Sequence, residues 1–334
     1  MTPQPSQPSP SSGKPRILSG VQPSGILHLG NFFGAIRQHI ALQDEGECFF
    51  FIADYHALTT VQDPAKLRDL VHGVALDYLA LGLDPRKTAF FRQSDVPEVT
   101  ELAWILSTVT GMGLLERAHS YKDKLARGIS ANAGLFIYPV LMAADILIYK
   151  SNVVPVGQDQ VQHIEMTRDM AGYFNQTWKK VFPLPEARLD KAPVVPGTDG
   201  KKMSKSYGNT IDIFAEGAEL KSSVMRVVTD STPVADPKDP DKDNVFALYS
   251  LFASPEERAA LAERYRAGGL GYGDAKKMLI AKIDEAFAPA RARRRALEKE
   301  PDAVEAALRQ GAQRANAVAN QTMREVRAAV GLKS

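Results

Sequence analysis

Cysteine is nearly absent: Cys48 is the one thiol in 334 residues. An intramolecular disulfide is therefore impossible, and a cysteine-rich zinc site is excluded with it. Cys48 lies in an apolar, strand-like run, which predicts a buried, inert thiol suited to a reducing cytoplasm. Long hydrophobic runs are also lacking. No apolar stretch approaches the ~20 residues of a membrane span, and the run from Phe49 to Ala53 is only strand-sized. Charge of one sign is not in excess: 41 Lys and Arg stand against 39 Asp and Glu, for a net +2. That balance neither requires nor excludes a nucleic-acid partner, because a polyanion can bind a local patch. No Walker A pattern occurs, which argues against a P-loop kinase or ATPase. Residues 1–13 have neither a basic start nor an apolar core, so they do not read as a secretory signal. Their Pro, Ser and Gln content predicts a disordered tail.

What remains is ordinary for a globular protein, with 44% apolar and 24% charged residues. The length suffices for a large domain and a smaller one. From Arg16 to about Asn175, strand and helix patterns alternate. Strands are expected at 16–20, 47–53, 88–93 and 153–157. A helix follows the first glycines, with apolar positions Leu29, Phe32, Phe33, Ile36 and Ile40. Asp63-Pro64 supplies a cap and first-turn proline for a helix reaching about Leu81. Strands separated by helices imply a parallel α/β sheet of the Rossmann-like kind, with ligands outside the carboxyl ends of its strands. The candidate walls of a site are thus 20–31, 53–56 and 157–163. After about Asn209 the pattern becomes helical. Thr229–Asn244 reads as a surface loop, and Ser254-Pro255-Glu256-Glu257 has capping-box spacing. A last helix carries a stripe through Val304, Leu308, Ala312, Ala315, Val318, Met323, Val326 and Val330, which needs a surface to pack on. The expected domains are 14–208, an α/β catalytic unit with a helical insertion, and 209–334, a helical region whose last helix folds back on the first.

Two segments carry chemistry. Gln22-Pro23-Ser24-Gly25-Ile26-Leu27-His28-Leu29-Gly30-Asn31 joins the first strand to a helix. Its glycines permit close backbone approach to a ligand, the helix start offers unpaired N–H groups to an anion, and His28 can donate to phosphate oxygens. An ordinary strand-to-helix turn is the alternative. Much later, Lys201-Lys202-Met203-Ser204-Lys205-Ser206 follows a turn-rich run. Ammonium groups on a loop suit the neutralisation of a triphosphate as charge moves toward leaving pyrophosphate; a solvated basic loop is the alternative.

Together the two segments resemble the signatures of class I aminoacyl-tRNA synthetases: His28-Leu29-Gly30-Asn31 is similar to HIGH, with Asn in the last place, and Lys202-Met203-Ser204-Lys205-Ser206 matches KMSKS in full. Three further stretches resemble the tryptophanyl-tRNA synthetase family in particular. They are Ser19-Gly20-Val21-Gln22-Pro23-Ser24-Gly25, Tyr138-Pro139-Val140-Leu141-Met142-Ala143-Ala144-Asp145-Ile146-Leu147, and Val154-Pro155-Val156-Gly157-Gln158-Asp159-Gln160-Val161-Gln162-His163-Ile164-Glu165. Tyr121-Lys122-Asp123-Lys124 looks like a loop whose last lysine reaches ATP. The resemblance runs from about residue 15 to the end. Leu18 departs from it, standing where some members place an aromatic beside the indole.

The resemblance implies tryptophan activation by ATP, with loss of pyrophosphate, and then transfer to tRNA(Trp). It assigns catalysis to His28, Asn31, Lys202 and Lys205. ATP would be held by Gln22, Pro23, Ser24, Gly30, Asn31, Lys124, Gly157, Gln158, Asp159 and Val195, and by the loop Lys202, Met203, Ser204, Lys205 and Ser206. Tryptophan would be held by Tyr138, Met142, Asp145 and Gln160. Mg²⁺ would arrive with ATP, without a protein-built metal site or an organic cofactor. A cytoplasmic homodimer binding one tRNA across both subunits is implied, with no membrane role.

Asp145 offers the sharpest chemistry. A carboxylate among Met142, Ala144, Ile146 and Ile148 is costly unless paired. Accepting an indole N–H would satisfy it; so would a buried Lys or His. His56 is placed where it can line the pocket, and His39, His72 and His119 are expected at the surface or in packing. Lys276, Lys277, Lys282, Arg291, Arg293, Arg294 and Arg295 make the late helices locally basic, suited either to tRNA phosphates or to a solvated face. The rivals are a tyrosyl-tRNA synthetase, a non-catalytic paralogue that binds tRNA or protein, and a small-molecule adenylyltransferase.

Overall fold

The computed structural model describes residues 13–23, 25–118, 132–189 and 193–333. Its centre is a sheet of five strands, β1 (Arg16–Val21), β2 (Glu47–Ile52), β3 (Thr88–Arg92), β4 (Val153–Val156) and β5 (Glu186–Leu189). The order is β3-β2-β1-β4-β5 and every pairing is parallel. The four expected strands are present. β5 is an addition to them: Glu-Ala-Arg-Leu is short, largely exposed and polar, and its place comes from pairing with β4 at the sheet edge.

Both faces of the sheet are covered, which explains the unbroken apolar run of β2. Cys48, Phe50 and Ile52 enter one apolar cluster, and Phe49 and Phe51 enter the other. The first cluster includes α4 (Pro64–Leu81) and the later helices, among them α10 (Asn244–Ser250), α11 (Pro255–Ala267) and α12 (Tyr272–Leu297). The second includes α5 (Glu98–Ser107), α7 (Ala133–Ile148), α8 (Val161–Thr177) and α13 (Pro301–Val330). Shorter helices are α3 (Asp54–Ala57), α6 (Met112–Glu116) and α9 (Gly217–Met225). The helix after β1 is not continuous. α1 (Leu29–Asn31) passes through a π-helical stretch, Phe32–Ile36, into α2 (Arg37–Leu42).

Local chemistry accounts for the boundaries. The Asp63 side chain accepts from Ala65 N and Lys66 N, Pro64 stands at the first helical position, and Gly82 closes α4 in the left-handed region. Ser254 and Glu257 satisfy each other's backbone N–H groups at the start of α11. α13 lies along β3 with Val304, Leu308, Ala312, Ala315, Met323 and Val326 buried. Gly311 permits this approach, since a Cβ there would collide with the carbonyl oxygen of Phe90. Arg327 pairs with Glu101, Lys150 with Glu325, and Arg92 with Glu305, tying the same helix down.

The basic residues of the late helices are engaged inside the chain. Lys276 donates to Met225 O, Lys277 pairs with Asp274, and Lys282 with Glu257. Arg291 pairs with Asp284 and donates to Ile213 O; Arg293 donates to Ala80 O; Arg294 pairs with Asp77, and Arg295 with Glu216. Lys277, Arg293 and Arg295 remain exposed all the same, so this basic face is both solvated and paired within the chain. Among the described residues no helix is long and apolar enough to cross a membrane.

Candidate active site

The strand order reverses between β1 and β4, and the crevice at such a switch point is where open α/β sheets take ligands. A cavity of about 460 Å³ opens there. β1 and the turn after it contribute Leu18, Ser19, Gly20 and Gln22, and the end of β4 contributes Val156 and Gly157. From α7 come Tyr138, Met142 and Asp145, one helix face at spacings of four and three. Gln160 and His56 also line the cavity. Of the expected site residues, Gln22, Tyr138, Met142, Asp145, Gly157 and Gln160 therefore share one cavity. Gly34 and Ala35 of the π-helical stretch also line it, a contribution that helical periodicity does not reveal.

Asp145 is 3% exposed. His56 Nε2 donates to its Oδ2 at 3.0 Å, and Gln93 Nε2 lies 2.9 Å from each of its oxygens. Burial raises the Asp145 pKa, while the His56 and Gln93 donors pull it back toward the charged form. The choice between a ligand and a buried histidine as its partner thus resolves into a histidine and a glutamine already present. Gln93, missed from the sequence, sits at the end of β3 and so belongs to the third strand that reaches this edge. Tyr138 Oη and His163 Nε2 are 2.6 Å apart, and burial pushes the Tyr138 phenol up to about 12.

The two signature segments meet on the same side of the sheet. Gly30 N donates to Met203 Sδ at 3.4 Å, and a Cβ on Gly25, whose φ is +87°, would lie 4.0 Å from Lys205 Nζ. Leu29 N donates to Ile211 O and Ile213 N to Leu27 O, so the chain just past the loop is laced to the first motif. His28 is buried at the start of α1. Desolvation, aided by Lys205, lowers its pKa to about 4, so it is neutral near pH 7. Its Nδ1 has no hydrogen-bond partner among the described residues, an unsatisfied polar atom of the kind a ligand can use. Asn31 Oδ1 accepts from His28 N at 3.2 Å, which assigns that amide to holding the helix start.

The lysine loop has an internal clasp. Asn209, 2% exposed, accepts from Ser204 N through Oδ1 and donates through Nδ2 to Asp199 Oδ1 and Lys202 O. Met203 N donates to Val195 O, and both side chains are buried in the core beneath the loop. Val195 does not line the cavity. Ser204 and Ser206 hydroxyls are 2.9 Å apart. Lys202 and Lys205 are exposed. Desolvation lowers the Lys205 pKa, and Asp77 and Asp212 draw it back toward the charged state. Gln158 and Asp159 are exposed beside Gly157, with Gln160 Nε2 donating to Asp159 Oδ2. Pro23 directly follows Gln22, whereas Ser24, Lys124 and His119 lie outside the described residues. His72 is exposed, whereas His39 is buried and also lines the cavity, where its ring meets Ser19 Oγ.

A parallel sheet with a cavity at its switch point, together with a histidine turn that touches a lysine loop, defines a class I aminoacyl-tRNA synthetase fold. Residues 11–288 match the family described as tRNA synthetases class I (W and Y), and the chain belongs to that family. Its similarity falls on the tryptophan branch. It is 56% identical over 319 residues to the tryptophan–tRNA ligase of Rhodopirellula baltica, covering 95% of this chain and all of that one. It is 53% identical to the tryptophan–tRNA ligase of Fusobacterium nucleatum, covering 95% of this chain and 98% of the relative. The tryptophanyl-tRNA synthetase of Campylobacter jejuni, solved with ADP and tryptophan, superposes with a TM-score of 0.91 at 49% identity, covering 95% of this chain and 100% of that chain.

Proposed function

We propose that this chain is a tryptophan–tRNA ligase, activating L-tryptophan with ATP and transferring it to tRNA(Trp). The observation that carries the assignment to tryptophan is the buried Asp145 carboxylate, set among Met142, Ile146 and Val156 in the cavity at the switch point. The indole enters among Met142, Ile146 and Val156 and donates its N–H to Asp145. Phenylalanine has no such donor and leaves the carboxylate short of a partner, a defect to which sites of this kind are sensitive. Gln160 and Tyr138 face the amino-acid end. Gln22, Pro23, Gly30, Gly157, Gln158 and Asp159 hold the nucleotide, with the loop Lys202–Ser206 around its phosphates.

No enzyme nucleophile is required. A tryptophan carboxylate oxygen attacks the α-phosphorus, the bond to the bridging oxygen breaks, and pyrophosphate leaves with its electron pair. Neutral His28 donates a hydrogen bond to phosphate oxygen, and Lys202 and Lys205 offset charge that grows on the leaving group. Among the described residues no three His, Cys, Asp or Glu side chains gather as a metal cage. Magnesium enters as the ion that ATP carries, bound mainly by phosphate oxygens.

The tRNA is met by the helical region from 209 onward, whose arginines retain N–H donors beyond those used within the chain. A homodimer is supported by an apolar surface next to the cavity, where Trp104, Leu58 and Ile137 are 73%, 52% and 49% exposed. A cytoplasmic setting accords with the single buried thiol. ATP–pyrophosphate exchange measured with each amino acid in turn tests the activity. Exchange driven by tryptophan is expected, and exchange driven by tyrosine instead would overturn the assignment. Asp145→Ala is expected to lower tryptophan kcat/KM about 100-fold, the scale of a lost hydrogen bond to a charged group, with ATP binding retained. Loss of ATP binding with unchanged tryptophan affinity would contradict the role given to Asp145.

A further inference from the structure

We infer that Gln93 is a positioning residue: it orients the Asp145 carboxylate and so sets how strongly the site demands an N–H donor on its substrate. The inference rests on the assignment of Asp145 to the indole, and deepens it.

Gln93 is 2% exposed and does not line the cavity, so it acts through its neighbour. Its Oε1 accepts from Tyr55 N at 3.1 Å and His56 N at 3.4 Å. These are N–H groups in the first turn of α3, without backbone partners inside their own helix, and Tyr55 N also donates to Asp54 Oδ1 at 3.0 Å. An amide oxygen only accepts and a backbone N–H only donates, so the amide has one permitted orientation. Its NH₂ is thereby turned onto Asp145, 2.9 Å from both oxygens. The opposite orientation would set an amide oxygen against a carboxylate, take the acceptor from His56 N and leave Tyr55 N with Asp54 Oδ1 alone.

The same anchor fixes His56, since the backbone N–H held by Gln93 belongs to the residue whose Nε2 donates to Asp145 Oδ2. A carboxylate offers about four acceptor positions. Three contacts from Gln93 and His56 occupy the protein side. The remaining capacity faces the cavity, where one further donor completes the set. The carboxylate cannot turn to serve a substrate lacking that donor without breaking a bond to Gln93 or His56. Rigidity, beyond the presence of the acid, is what makes the missing N–H expensive.

The test compares tryptophan with the amino acid in which sulfur replaces the indole N–H, benzothienylalanine, in ATP–pyrophosphate exchange. Three proteins are used: wild type, Gln93→Glu and Gln93→Met. The glutamate substitution keeps an acceptor for Tyr55 N and His56 N, preserving the fold, but presents an acceptor to Asp145. The methionine substitution removes both functions at similar volume. Wild type is expected to favour tryptophan strongly. In both variants the ratio of kcat/KM for tryptophan over the sulfur analogue is expected to fall about tenfold or more, the scale of a weakened hydrogen bond to a charged group, with the KM for ATP unchanged. A purely structural role for Gln93 would lower exchange with both amino acids alike and leave the ratio intact, which overturns the inference while Asp145 keeps its assignment. Equal use of the two amino acids by wild type would overturn the Asp145 assignment and this inference together.

Discussion

Burial makes two histidines of this protein neutral, and each then does a different task. His28 loses charge through desolvation and the nearby ammonium of Lys205. His39 loses it through burial alone, its pKa lowered to about 4, and its ring bridges Ser19 Oγ at 2.9 Å and Tyr78 Oη at 3.2 Å. Between the unfolded pKa near 6.5 and the folded value near 4, the unfolded chain binds more protons. Native stability therefore falls as pH drops through that window, and His39 contributes on the order of 3 kcal/mol to the fall. Replacing His39→Gln is expected to flatten the decline in urea-unfolding free energy from pH 7 to pH 4, relative to wild type. An unchanged slope would show that His39 titrates alike in the folded and unfolded chains. Asp145 is the acidic counterpart: its apolar flanks are plain in the local string of α7, whereas its partners come from β3 and α3.

Short connecting elements carry as much of the site as the long ones. The loop from Val195 to Asn209 gains its shape from one buried amide, since Asn209 binds Ser204, Asp199 and Lys202 at once. The lysines are legible in the sequence as a motif; the clasp is not, because one asparagine after a glycine reads as a turn. The π-helical stretch Phe32–Ile36 is likewise invisible to a helical pattern, which counts apolar spacing and not backbone hydrogen bonds. α13 is the opposite case: its stripe marks it for burial, and only the fold names β3 as the surface. Gly311→Ala tests that contact. The added methyl would collide with the Phe90 backbone, so a loss of about 3 kcal/mol in unfolding free energy is expected from overpacking. Stability within a few tenths of wild type would mean that α13 rides further from the strand.

At the level of the assembled chain, two signature segments far apart in the sequence become neighbours through backbone pairing of 27–29 with 211–213. The switch-point cavity and the exposed apolar surface share His56, Thr59 and Tyr138. If that surface joins two copies, Trp104→Glu should convert a dimer into a monomer in sedimentation or light scattering. A dimer that persists would place the subunit contact elsewhere. Alternation of strands with helices, the caps of α4 and α11, the two motifs and the acid on an apolar helix could all be read directly from the order of residues. Each is a local matter of periodicity, capping chemistry or composition. The edge strand β5, the Gln93–His56 cradle around Asp145, the clasp of Asn209 and the internal pairing of Arg291 to Arg295 could not. They depend on which distant groups are brought within about 3 Å of one another, and that is settled by packing and desolvation in three dimensions, where a polar side chain takes whichever partner the fold delivers.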